Sequence, residues 1–509
     1  MKHLLTTLFA FCVLAGRGQK HDYTWLAGYS SQNGYSTNFN YWFGISKFEF
    51  SNQNVNISYD SLGFNASGAN AAISRHDGVL QFYTNGITVR NSYDNIIGDS
   101  LHNGFFLNYL PLWYYYGNPS IGMMVVLPNP VQTTKYDIVY GFVDTLPDFF
   151  ITVKRLLRTQ VDMSLDFGKG GLVYKDKPFS QSESSFGLTA VKHANGRDWW
   201  LVAMKAGTNC YDLMLYDGSD SIRKYPVQCA GGYTYNRGEF SVLKFSPDGH
   251  YFASVNDEQG KLDFYEFNRC TGNINLLETV YLPENIDSVD YGTSSAAYSP
   301  NSRFFYLCST KEIFQFDMLA TPIAASKLSI AKYIQYHSPA PVTYNFAQLA
   351  PDGKIYVASL NGTYYMAVIN NPDLAGAACN FQDTVKLPSF IAGLPYYPNY
   401  RLGALDGSPC DTLKTIMGLD ASAHREHQIK LYPNPATDVV MVDYGFTDWS
   451  KGAVTLQLAN ALGQVVFTQN LPLYSGFQKL NISFYPAGTY RVSLHRGTQT
   501  IATTTLVKE

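Results

Sequence analysis

Apolar and polar positions alternate along most of this chain, and Pro, Gly, Asn and Asp interrupt the alternation at intervals. Residues 245–257 (FSPDGHYFASVND) show it most clearly: two alternating runs flank a Pro-Asp-Gly turn, which predicts a β-hairpin. Related hairpins stand at 298–309 (YSPNSRFFYLCS) and 349–359 (LAPDGKIYVAS). Two more lie at 71–84, turning at His76-Asp77-Gly78, and at 188–204, turning at Asn195-Gly196. The turn position recurs at 196, 249, 302 and 353, and the stretch from 78 to 196 leaves room for two units. A four-stranded unit repeated at this spacing predicts propeller blades, slightly long for loop insertions.

The remainder fits that frame. Strand-like pieces occupy 23–29, 44–51 and 55–60, and another follows the first hairpin at 87–91. An irregular stretch at 105–117 (FFLNYLPLWYYYG) precedes a second blade with strands at 122–127 and 136–143. Its outer strands are expected at 161–167 and 171–174, beyond an insertion at 146–159. Residues 19–405, divided by the spacing, give about seven blades, although six hairpins are visible; six or eight blades stay open. The seventh is expected to be composite, with N-terminal strands pairing to one from 392–402, which closes the ring and hides its edges. Residues 406–428 lose the alternation and read as a linker. Residues 429–509 then hold about seven short strands, the count of a small immunoglobulin-like sandwich. The predicted class is all-β: a β-propeller of about seven blades followed by a small immunoglobulin-like β-sandwich.

Composition adds an address. Charged residues are 15% and aromatics 15%, with 39 Tyr and 32 Phe, a balance that suits an exported β protein. The net charge of −3 without basic runs gives no footing for a nucleic-acid partner. Residues 1–18 read as a secretory signal peptide: Lys2 and His3, an apolar run over 4–15, and Gly16-Arg17-Gly18 before Gln19. That apolar run is too short to span a bilayer, and no later segment qualifies. Cys12 follows Phe11 rather than the small residue that lipoprotein processing requires, so a soluble mature chain is expected. Six cysteines remain beyond it: Cys210, Cys229, Cys270, Cys308, Cys379 and Cys410. Cys210 opens one strand and Cys229 closes the next, so an antiparallel pairing sets them opposite each other as a disulfide, with the other pairings open.

The C-terminal end resembles the type A sorting domain of type IX secretion cargo. The resemblance rests on Leu431-Tyr432-Pro433-Asn434-Pro435-Ala436-Thr437-Asp438, Asn460-Ala461-Leu462-Gly463-Gln464-Val465-Val466 and Pro486-Ala487-Gly488-Thr489-Tyr490-Arg491-Val492, ending in Leu506-Val507-Lys508-Glu509. Tyr432, Pro433, Asn434, Pro435, Gly463, Gly488, Tyr490 and Lys508 are its marker positions. Each has a local role too, the prolines halting pairing and the glycines serving turns. The resemblance implies reading by the outer-membrane translocon, removal by a sortase-like protease near the linker, and a cell-surface or released product. Cargo of this kind comes from bacteria that O-glycosylate Asp-Ser/Thr-aliphatic triplets, and seven stand here, among them Asp60-Ser61-Leu62 and Asp383-Thr384-Val385. The propeller part, notably Phe267-Asn268-Arg269-Cys270-Thr271-Gly272 and Ala378-Cys379-Asn380-Phe381, resembles uncharacterised propellers that precede this domain.

Chemistry is sparse. The sequence contains no nucleophile elbow, P-loop, zinc-protease helix, EF-hand loop or zinc spacing, and neither a metal nor a cofactor is expected. Asp166-Phe167-Gly168 reads as a strand end, and His424 and His427 read as solvated linker residues. Asp144, Asp148, Asp257, Glu258 and Asp287 lie near strand ends, where two carboxylates from different blades could serve glycoside hydrolysis. Turn and surface roles fit them as well. The better hint of a ligand is aromatic: Trp113, Tyr114, Tyr115 and Tyr116 in one connection, and Tyr396 and Tyr397 in another, could stack on sugars or anchor a protein. Packing between blades uses the same residue types. Three functions follow in order: a surface-delivered propeller binding a polysaccharide or protein, a polysaccharide hydrolase or lyase, and an adhesin or surface-layer component.

Overall fold

The alternating runs become antiparallel ladders in the structure, a computed structural model. It describes residues 19–36, 41–51, 54–98, 101, 122–145, 151–180, 184–219, 221–231, 242–256, 260–282, 295–332, 342–360, 362–405, 407–411, 427–446, 454–471 and 475–509. Contacts divide the chain into two compact units, Met1–Val161 with Leu172–Asp411 and Asp162–Gly171 with Thr412–Glu509. The signal-peptide reading of residues 1–18 lies outside the described residues, as do Trp113, Tyr114, Tyr115, Tyr116, Asp148, Asp257, Glu258, Asp287 and His424.

In the first unit the described strands group into seven blades, apart from a short two-stranded ladder of Tyr35–Ser36 with Tyr41–Trp42. Blade 1 has three strands, Thr24–Gly28, Ile45–Ser51 and Asn54–Asp60. Blades 2, 5, 6 and 7 each have four strands in chain order, with first strands Ala71–Ser74, Val242–Phe245, Ser295–Tyr298 and Phe346–Leu349. Blades 3 and 4 start at Met124–Pro128 and Ser184–Lys192, and a single residue pair, Val153 with Ser184, joins their ladders. First strands of successive blades are neighbours, and the last strand of blade 7, Phe381–Ile391, packs against blade 1, so the ring closes. First strands are buried almost throughout, because each lies between flanking blades near the axis. Inter-blade packing mixes aliphatic and aromatic side chains, as where Phe264 of blade 5 meets Phe305 of blade 6 edge to face at 5.0 Å.

Two expectations are corrected. The first concerns closure. Residues 392–402 do return to the N-terminal strands but form no ladder, since Pro395 and Pro398 lack donors and fix φ where a strand would need both. Thr24–Gly28 runs antiparallel to the first strand of blade 2: the Ser74 hydroxyl donates to Thr24 Oγ1 at 3.2 Å, and Gly28 bridges Ala66 at the other end. It therefore has the direction of a second strand. Residues 392–402 run the other way and occupy the innermost position as irregular chain.

The second correction is local. The expected insertion at 146–159 is largely strand, Ile151–Asp162, paired with Gly171–Ser180. Its charged residues hid it: Arg158 is buried, with Nε 3.4 Å from Asp137 Oδ1. Asp137 also accepts from the Tyr174 hydroxyl at 3.0 Å and from Tyr216. Asp166-Phe167-Gly168 is a tight turn after that strand, with Asp166 and Phe167 at positive φ.

The second unit holds a β-sandwich. One sheet carries His427–Tyr432, Val439–Phe446 and Ser475–Asn481; the other carries Val465–Leu471, Val454–Ala459, Gly488–Arg496 and Gln499–Lys508. Val440, Val442, Leu456, Leu458, Val492, Leu494 and Leu506 alternate inward from both and form its core.

Candidate functional site

The hairpin turns that define the repeat also define the site. The turns after the first strands of blades 2 to 7 fall on one face of the ring, and there Pro247, Pro300 and Pro351 wall a pocket of about 290 Å³. Its base is the axial segment. Tyr397, Pro398, Asn399 and Arg401 line it, together with Lys244, Gln348 and Asp22.

The axial segment is held by side-chain hydroxyls that reach the first strands around it. Tyr396 donates to Leu243 O at 2.6 Å, and Tyr400 donates to Val126 O at 2.7 Å. The Tyr397 hydroxyl donates to Ala72 O at 2.9 Å and accepts from Ala72 N at 2.8 Å. Asn399 Nδ2 donates to Pro247 O at 2.7 Å. Blades 2, 3 and 5 are thus tied to one run of chain, which compensates for its missing ladder.

The segment then leaves by the turn face. Arg269 holds it, donating to Gly403 O and, at 3.2 Å, to His193 O. Gly196, at φ 73°, lies so close that a Cβ would meet Ala404 N at 2.4 Å, so glycine is required there. A disulfide joins Cys270 to Cys410 just beyond. Sequence left that pairing open. The expected disulfide, Cys210 with Cys229, is present at directly opposed ladder positions, while Cys308 and Cys379 are buried free thiols.

In the pocket, Lys244 Nζ donates to Gln348 Oε1 at 3.2 Å and lies 4.0 Å from the centroid of the Tyr396 ring. No carboxylate pairs with it among the described residues, and burial pulls the amine down to about 7. Gln348 Oε1 also accepts from Tyr397 N at 3.4 Å. Arg401 Nη1 donates to both carboxylate oxygens of Asp22, at 2.6 and 2.7 Å. Among the described residues Asp22 is the single carboxylate lining the pocket, and it is engaged. Nearby, His21 Nδ1 contacts Ser74 O at 2.6 Å, and burial pulls this imidazole down to about 4.

Of the residues singled out in sequence, Tyr396 and Tyr397 are thus anchored at the axis, with Tyr397 in the pocket wall. Asp144 is exposed at the end of its strand. Lys244, Gln348, Asn399, Arg401 and Asp22 were not singled out. The available signal was position: Lys244 precedes the Phe-Ser-Pro-Asp-Gly turn and Gln348 precedes Leu-Ala-Pro-Asp-Gly, each a polar residue where an inward apolar one is expected.

The sorting-domain markers converge. Asn434 Nδ2 donates to Thr505 O and its Oδ1 accepts from Val507 N, both at 2.8 Å, and Ala436 bridges Lys508. Pro433 and Pro435 are exposed on either side of that clamp, and Tyr432 closes the preceding strand opposite Met441. Gly488 pairs with Lys508, and Tyr490 donates to Pro486 O at 2.8 Å. Gly463, at φ 80°, makes the turn after Ala459, itself paired with Arg491. All three signature segments therefore lie at the end of the sandwich where the C-terminal strand finishes.

Residues 430–509 match the family described as the secretion system C-terminal sorting domain. No curated protein sequence matches the chain. Among solved structures, a candidate 6-phosphogluconolactonase of Bacteroides fragilis aligns at 12% identity and TM-score 0.44, over 73% of this chain and 96% of its own. A Lactobacillus plantarum protein aligns at 13% and 0.41, over 73% and 98%. The periplasmic gluconolactonase of Pseudomonas aeruginosa aligns at 12% and 0.35, over 62% and 95%. Among the described residues no helix is long and apolar enough to cross a membrane. The final domain belongs to the secretion system C-terminal sorting domain family, and the chain is cargo of the type IX secretion system, bound for the cell surface or the medium.

Proposed function

We propose that the exported propeller is a glycan-binding protein whose ligand enters the axial pocket on the turn face, and that the sorting domain is read by the type IX translocon and removed by a sortase-like protease. The observation that carries the binding reading is the pocket's lining: amides, an anchored tyrosine, rigid prolines and two cations around one engaged carboxylate. Hydrolysis by paired carboxylates requires two acids about 5 to 10 Å apart across the scissile bond. Among the described residues this pocket offers one, and it is held by Arg401. A protein partner would need a contact area on the order of 800 Å² on each side. A recess of about 290 Å³ suits a single sugar ring better.

The test is a glycan array probed with the secreted full chain, followed by incubation of each captured glycan with the protein and chromatography of the products. Capture without cleavage is expected. Shortened products would replace the binding reading with that of a hydrolase or lyase.

A further inference from the structure

We propose that the axial pocket selects an acidic sugar, a uronic acid at a glycan end, whose carboxylate lies between Lys244 and Arg401. This rests on the reading of the pocket as a glycan site and names the class of sugar it takes.

The pocket holds an unmatched charge. Lys244 is 7% exposed, and its amine meets an amide oxygen and an aromatic face, with no carboxylate partner among the described residues. A buried ammonium without a counter-ion is costly, and a fold keeps one at a ligand site more readily than in a core that Met or Leu could fill. Arg401 supplies the second cation. It uses Nη1 on Asp22, while Nε and Nη2 have no partner among the described residues and retain a donor edge for a second carboxylate. With Asp22 cancelling one of the two positive charges, the pocket carries one positive charge in excess when Lys244 is protonated.

The walls fit the rest of such a sugar. Pro247, Pro300 and Pro351 give rigid apolar surfaces for ring C–H faces, and Asn399 has a second amide hydrogen beyond the one on Pro247 O. The groups packed around the Lys244 amine are Gln348 from blade 7, Tyr396 from the axial segment and, from blade 6, the buried Cys308 thiol, which burial pushes up to about 12. None of them supplies a negative charge at neutral pH. An entering carboxylate therefore draws a proton onto Lys244, so binding at pH 8 is accompanied by proton uptake.

The experiment is calorimetric titration of the full chain with three probes: methyl glucuronide, its carboxylate methyl ester and methyl glucoside. The glucuronide is expected to bind at least tenfold more tightly than the other two, and its heat at pH 8 should vary with the ionisation enthalpy of the buffer. Lys244→Met, shown to be folded by a cooperative melt no lower than that of the wild type, should remove the discrimination. Equal affinities for the three probes, each lost in Asn399→Trp, which fills the recess, would overturn the acidic-sugar inference and leave glycan binding in place. Capture of no glycan by the array would overturn both. The ester comparison uses the wild-type protein, so the answer does not depend on how any variant folds.

Discussion

At the scale of the residue, the two buried bases near the axis shift stability in the same direction but in different pH windows. His21 is held neutral, with a folded value of about 4 against an unfolded value of 6.5. Below pH 6.5 the unfolded chain therefore binds the extra proton, so stability present above that pH is lost as pH falls towards 4, by about 3 kcal/mol in all. Urea unfolding between pH 7 and 5 should show this slope, and His21→Gln should flatten it. Lys244 is also depressed, to about 7, so between pH 7 and 10 the unfolded chain again binds more protons and stability rises with pH. Lys244→Met should stabilise the unliganded protein at pH 6 by an amount on the order of a few kcal/mol, and the gain should shrink as pH approaches 10. A variant less stable than wild type at pH 6 would contradict the unmatched burial of this amine.

At the scale of the element, the axial segment is a structural substitute for a strand. The blade count set against the visible hairpins indicates that residues 392–402 return to the N-terminus, but not in what form, because two prolines and three tyrosines can serve a strand edge, a loop or a plug. Which one they form depends on where six other blades place their carbonyls, and local sequence does not carry that information. The disulfide from Cys270 to Cys410 fixes the exit. It closes a loop of 140 residues, worth about 5 kcal/mol in the chain-entropy treatment, against about 3 kcal/mol for the 19-residue loop of Cys210 and Cys229. The double variant Cys270→Ser, Cys410→Ser should therefore lose more in thermal midpoint than Cys210→Ser, Cys229→Ser, and limited proteolysis should open it first at 403–411. In the sandwich, Asn434→Ala removes both hydrogen bonds to the last strand and should cost about 1 to 2 kcal/mol in chemical unfolding of that transition.

At the scale of the whole molecule, the parts legible in sequence were those set by repetition. The turns at 196, 249, 302 and 353 gave a spacing, and the spacing gave a ring of about the observed size. The three C-terminal segments likewise identified a domain, since each marker has a fixed local geometry. The pocket was not legible, because its residues come from blades 5, 6 and 7, the axial segment and the chain before blade 1, and only ring closure brings Asp22 to Arg401. Arg158 and Asp137 were hidden for the same reason, their partners lying on other strands. Export belongs to this scale as well: deletion of 430–509 should leave the propeller inside the outer membrane, measured by cell fractionation. Surface display of the truncated chain would contradict the role of the sorting domain.

The most direct measurement is hydrogen exchange of the full chain with and without the glycan that binds most tightly. The account predicts new protection in the turns about Pro247, Pro300 and Pro351 and along 397–401, with the sorting domain unchanged. Protection confined to the opposite face of the ring, or to residues 430–509, would contradict it.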